Sequence, residues 1–310
     1  MSSLTAFILR VPGHRSILKR LVFRSLLLAC LVLASLVATT PTLAAEPLVL
    51  ASIKPLELIA RQVVGPDGRV ERLLAPGASP HDYPLSFSGR KQLASADLVL
   101  WVGKELEAFL SKPLAQASAG RRLTAAELPQ LHWPESEYPE QQHAAPDHHR
   151  HLNDPHLWLD PRNGSGIALA LAERLAQLAP EAAESYRSRA QTLVGQLQQL
   201  DVQMNEQLAS VRSRSFAVYH RGYDHFVQRY GLHQVAAVTE TPERRPGARH
   251  LYQLRQNLQG AVCLFTEPYY DMSAARQLAE ELDLRLGLLD PLGADPGIDS
   301  YPALIRQLGN

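Results

Sequence analysis

Histidines are the side chains of this protein best suited to chemistry, and they are unevenly spaced. Of the 12 in 310 residues, His143, His148, His149, His151 and His156 crowd residues 143–161, HAAPDHHRHLNDPHLWLDP. Neutral imidazole is the commonest protein ligand for zinc and its transition-metal neighbours, so such a tract suggests metal capture. The plain alternative is a solvated polar loop whose histidines bind nothing. Elsewhere, polar residues stand at the ends of apolar runs. His81 follows the run 70–74 after a Pro/Gly turn, His220 comes directly after 216–219, and Asp290 directly after 284–289. His156 itself precedes the apolar triplet 157–159. Three imidazoles and one carboxylate suit tetrahedral zinc, with bonds of about 2.0–2.2 Å. Manganese prefers more oxygen, magnesium and calcium nearly all oxygen, while copper and nickel remain compatible with these ligand types. Glu267, ending the run 262–266, could accept from an imidazole and fix its tautomer, or equally hydrogen-bond the backbone.

The elements that must position these residues alternate in type. Apolar runs at 48–53, 70–74 and 98–102 are interleaved with helical spacing over 56–64, 88–94 and 105–114. Pro, His and acids then interrupt the pattern over 129–155, as in a surface loop. A helix over 167–178 precedes a second pattern, 181–211, that contains no proline. The later runs 216–219, 235–238, 262–266 and 284–289 again alternate with helical stretches. Such alternation predicts βαβ units, an α/β class and mostly parallel sheets, with ligands beyond the carboxyl ends of the strands. The expected division is a first lobe over 46–179 carrying the His-rich loop 138–155, a connecting helix over 180–211, and a second lobe over 212–310. Asp82 and Asp160 read as loop caps, His225 and His233 as surface or packing residues, and Trp101 and Trp158 as core. No His-Glu-x-x-His, Gly-x-Ser-x-Gly or Walker-type glycine loop occurs.

Residues 1–45 stand apart. Arg10, Arg15, Lys19, Arg20 and Arg24 precede an apolar run over 26–37, and small residues follow at Thr42, Ala44 and Ala45. Basic, apolar, small is the order of a secretory signal, and the apolar run is short for a membrane span. Cleavage is expected near Ala44 or Ala45, leaving no stable membrane insertion; a retained anchor is the alternative. Removing those residues lowers Lys plus Arg from 31 to 26 and leaves Asp plus Glu at 31, a formal charge of −5. That balance argues against nucleic acid as a partner. Cys30 falls within the signal, so Cys263 is the mature chain's one thiol; a disulfide framework is excluded, and a buried core cysteine is expected.

Five ordered motifs carry a resemblance: Ala-Pro-Gly-Ala-Ser-Pro-His81-Asp-Tyr, Asp-Pro-His156-Leu-Trp-Leu-Asp-Pro, Tyr219-His220, Phe265-Thr-Glu-Pro and Leu289-Asp290-Pro-Leu-Gly. Together they make nearly the whole mature chain similar to the periplasmic metal-binding receptors of bacterial ABC importers, of the zinc-uptake type. The resemblance implies two Rossmann-like lobes tied by a long rigid helix, with Zn2+ held between them for delivery to a membrane permease driven by an ATPase. It implies a monomeric periplasmic receptor and not an enzyme. His81, His156 and His220 match that family's three histidine ligands, and Asp290 its carboxylate position, which water can replace or supplement. Manganese-type relatives carry a carboxylate where His220 stands. A charged His-rich loop is typical of the zinc branch, which assigns His143, His148, His149 and His151 to secondary metal capture. Departures are Arg221 and Gly222 after His220, Pro80 before His81, and the unpartnered Cys263. The alternatives are a receptor for manganese or another metal, an exported zinc hydrolase, and a surface adhesion protein on the same scaffold.

Overall fold

A computed structural model describes residues 46–135, 154–241, 243, 247–270 and 272–310. The expected signal and the four loop histidines, His143, His148, His149 and His151, lie outside the described residues. Two sheets of four strands each form the frame. The first holds β1 (Leu48–Ala51), β2 (Arg69–Arg72), β3 (Leu98–Trp101) and β4 (Arg122–Thr124) in the order β2-β1-β3-β4. The second holds β5 (Ser215–His220), β6 (His233–Thr239), β7 (Cys263–Thr266) and β8 (Arg285–Leu288) in the order β6-β5-β7-β8. Every pairing is parallel. The two halves therefore repeat one topology, and in each the chain leaves its first strand in opposite directions. The crevice beyond β1/β3 and β5/β7 is where α/β sheets receive ligands. This is the α/β fold in two lobes that the alternation predicts.

Position in the sheet follows composition. All four residues of β1 (Leu-Val-Leu-Ala) and of β3 (Leu-Val-Leu-Trp) are buried, as central parallel strands covered on both faces must be. The edge strands β2 (Arg-Val-Glu-Arg) and β8 (Arg-Leu-Gly-Leu) have no fully buried residue, and both carry charge. Nine helices are described: α1 (Lys54–Val64), α2 (Phe87–Ser95), α3 (Ala108–Ala115), α4 (Pro161–Leu178), α5 (Ala183–Gln207), α6 (Asp224–Tyr230), α7 (Ala248–Asn257), α8 (Ser273–Glu281) and α9 (Tyr301–Gln307).

Three elements differ from the sequence-based expectation. The helix expected over 105–114 starts only at Ala108. Buried Glu107 folds its carboxylate back onto the N–H groups of Val102 (2.7 Å) and Gly103 (3.2 Å) instead of joining the helix. β4 and α9 were not anticipated, each being short. The long helix is α5, bounded by 3-10 turns at Pro180–Ala182 and Leu208–Val211, and at 1.5 Å per residue it runs about 37 Å. Its buried residues, Tyr186, Ala190, Leu193, Leu197, Leu200 and Met204, alternate in steps of four and three, giving a seam that packs on α4 and α1. The heptad-like seam thus exists, satisfied within the chain.

One core cluster runs from β1, α1 and β3 through α4 and α5 to Tyr223, Phe226 and Tyr230, and on to Tyr301, Leu304, Ile305 and Leu308 of the C-terminal segment. The two sheets therefore share a core at the base of the crevice. Gly164 lets Tyr301 approach α4: a methyl group there would lie 2.2 Å from the Tyr301 ring. Tyr301 donates to the carbonyl of Trp158, and the Trp158 indole donates to that of Pro291 at 2.8 Å. A separate cluster, including Leu254, Leu258, Leu264, Met272, Ala275 and Leu278, covers part of the second sheet. Cys263 is half-buried, not a core residue. Among the described residues no helix is long and apolar enough to cross a membrane.

Candidate metal centre

His220 is the last residue of β5, carried to the crevice by the strand itself, and is buried. His156 lies just before the 3-10 turn Leu157–Leu159, whose three residues are fully buried and so fix where the chain passes. Asp160 ends that turn and caps α4, accepting from the Arg162 N–H at 2.8 Å. His81 sits half-buried in the loop after β2. The three rings converge, with centroids 5.0 Å (His156–His220), 5.2 Å (His81–His156) and 5.7 Å (His81–His220) apart. One ring nitrogen from each falls within 4.8 Å of the other two.

Two of the rings are oriented by buried carboxylates. Asp154 Oδ1 takes the His156 Nδ1 proton at 2.6 Å and the His156 backbone N–H at 3.0 Å. Glu267 Oε1 takes the His220 Nδ1 proton and the Tyr223 hydroxyl, the latter at 3.1 Å. The two Nε2 atoms so oriented face each other 3.2 Å apart. Two nitrogen ligands at about 2.0–2.1 Å from one tetrahedral ion stand about that far apart. The donor set thus fits a metal such as zinc.

The electrostatics follow. Burial pushes the His81 imidazole down to about 2, helped by the neighbouring His156 and His220, so this ring stays neutral at ordinary pH. Burial opposes charge on His220 too, but Glu267 outweighs it and raises the imidazole above its usual 6.5. Burial alone would raise the Asp154 carboxyl, yet His156 beside it holds that group well below the usual range. Gly222 leaves the rings their room: a methyl there would lie 2.4 Å from His220 Nε2 and 2.8 Å from His156 Cε1.

Asp290 stands differently. Its carboxylate is buried, but it accepts from the Tyr269 hydroxyl and from the Asp295 N–H at 3.2 Å, and it is not in the group formed by the three histidines. Asp154 was missed by sequence reasoning as a positioning residue. Its Oδ2 also takes the Asp224 N–H at 2.9 Å, and its carbonyl accepts from His225 Nε2 at 2.9 Å. The one sequence signal was an Asp two residues before a ligand-type His, which reads equally as a turn.

A protein-family profile described as "Zinc-uptake complex component A, periplasmic" matches residues 49–310. The chain belongs to this family. Among members of the zinc-uptake family, the high-affinity zinc uptake system protein ZnuA of Yersinia pestis is 34% identical over 297 residues, covering 89% of this chain and 93% of its own. ZnuA of Paracoccus denitrificans is 31% identical over 312 residues, covering 90% and 95%. Of solved structures, a zinc-bound ZnuA deletion mutant superposes with a TM-score of 0.72 at 22% identity, over 85% of this chain and 95% of the other. The laminin-binding protein of Streptococcus agalactiae gives 0.72 at 23% identity, over 85% and 98%. These two likenesses establish a shared fold.

Proposed function

We propose that this protein is a periplasmic zinc-binding receptor, which captures Zn2+ at His81, His156 and His220 and passes it to the membrane permease of an ABC importer. The observation that carries the reading is the convergence of three imidazoles, two with Nε2 atoms 3.2 Å apart. Three nitrogen donors leave a fourth tetrahedral position, for Asp290 after release from Tyr269 or for water. Family membership and the curated relatives support zinc as the cargo and delivery as the role. Residues 1–45 act in this reading as the export signal, the mature chain works as a monomer, and the lobes 46–179 and 212–310 meet at the site with 180–211 between them. Secondary capture belongs to His143, His148, His149 and His151. The chain is a receptor and not a hydrolase.

A competition titration of metal-free protein against a chromophoric chelator tests this reading. It would compare zinc with manganese on the parent, on His220→Ala and on a deletion of residues 143–151. One tight zinc site that survives the deletion and vanishes in His220→Ala is expected. Tight binding lost with the loop, or manganese bound as tightly as zinc, would overturn the assignment.

A further inference from the structure

The His81 ring lacks what the other two have. Among the described residues, no carboxylate is hydrogen-bonded to it as Asp154 is to His156 and Glu267 to His220. Its placement must therefore come through its own backbone. The His81 N–H donates to Ser79 Oγ at 3.2 Å. The Ser79 hydroxyl in turn donates to Glu243, which belongs to the loop after β6 in the other lobe. Nearby, Tyr270 stacks on Tyr219 and stands edge-on to the His220 ring, each at 6.3 Å between centroids. A serine hydroxyl offers one donor and two acceptor sites. Here the donor goes to Glu243 and one acceptor to the His81 backbone.

We infer that Ser79 is a positioning residue for metal retention: its hydroxyl ties the loop carrying His81 to Glu243 of the opposite lobe, and so holds His81 over the His156–His220 pair. Ser79 touches no metal in this scheme and acts through His81. Loss of the hydroxyl frees the His81 loop while leaving the paired imidazoles and their carboxylates untouched. The cost falls on how long zinc stays, because the third nitrogen detaches more readily.

The inference rests on the receptor reading above, and its test separates the two. Zinc dissociation would be followed by stopped flow into excess chelator for the parent, Ser79→Ala, Ser79→Thr, Glu243→Ala and the double variant Ser79→Ala/Glu243→Ala. Backbone amide exchange of residues 77–83 would be measured on the metal-free proteins. Losing one hydrogen-bonded link is expected to speed dissociation by roughly three- to tenfold in Ser79→Ala. Ser79→Thr, which keeps the hydroxyl, should stay within about twofold of the parent, since the link is retained. The double variant should be no faster than Ser79→Ala, because both changes cut the same link. Amides of the loop should lose protection in Ser79→Ala and Glu243→Ala alike. A parent that binds no zinc would overturn the receptor reading and this inference with it. A parent that binds zinc tightly beside a Ser79→Ala that releases it at the parental rate would overturn the inference alone. So would additive effects in the double variant, or a Ser79→Thr as fast as Ser79→Ala.

Discussion

At the scale of single residues, the histidines titrate unequally, and that inequality sets the pH response. Burial opposes charge on His220 but Glu267 outweighs it and raises the imidazole, so in the proposed receptor its proton competes with zinc as the pH falls. His81 binds no proton until about pH 2 and offers none to displace. Zinc affinity should accordingly fall as the pH drops. The slope of log Kd against pH should remain under three protons, measured by competition titration at several pH values. For the metal-free fold the sign reverses at the two residues. The His220–Glu267 pair adds stability below pH 6.5 and loses it as the pH rises through the raised value, whereas buried His81 withdraws stability as the pH falls from 6.5 toward 2. Asp154 is the second residue with a sharp expectation. Replacing an orienting partner of a ligand histidine typically weakens metal binding by about 10- to 100-fold. Asp154→Asn should lose zinc affinity in that range, as read by chelator competition, with the protein still folded. The histidines were legible in the sequence because their type announces a chemistry. Asp154 and Ser79 were not, since an Asp or Ser in a loop carries no sign of which distant N–H or carboxylate it will meet.

At the scale of elements, the joint between α5 and α1 shows how the frame under the site is held. The α1 helix ends at Gly65, which has φ 56°, and the Arg189 guanidinium of α5 fills the space a side chain would need. That guanidinium donates to the carbonyls of Val63 and Val64, both at 2.8 Å, and to Asp67 at 2.7 Å. Removing them in Arg189→Ala should lower stability by about 1–3 kcal/mol in urea unfolding, since three acceptors lose a charged partner. Zinc affinity of the folded protein should not change. The order of strands and helices was readable because four-residue apolar runs alternate with helical spacing. β4 escaped notice because Arg-Leu-Thr is too short to show a period. The apolar 157–159 triplet folds as a 3-10 turn, its apolar residues being demanded by burial on all sides. The Gln-rich face of α5 masked a seam that only the packing against α4 makes plain.

At the scale of the whole molecule, the shared core predicts shared fate. Residues of both lobes sit in one hydrophobic cluster, and Trp158 and Tyr301 tie the segments together at its centre. Metal-free protein should unfold in a single calorimetric transition, and two resolved transitions would contradict that. Zinc at 100 times its Kd should add about 2.7 kcal/mol to the unfolding free energy, a gain absent in His220→Ala. The position of α9 bears on something else, the timing of folding. Tyr301, Leu304, Ile305 and Leu308 complete a core whose other walls, including Val49, Leu56 and Ile59, belong to the first strand and helix described. A chain emerging N-terminus first therefore cannot complete the core of its earliest lobe until Tyr301–Gln307 has arrived. Until then the first sheet lacks a wall, and the polypeptide stays open enough to be threaded.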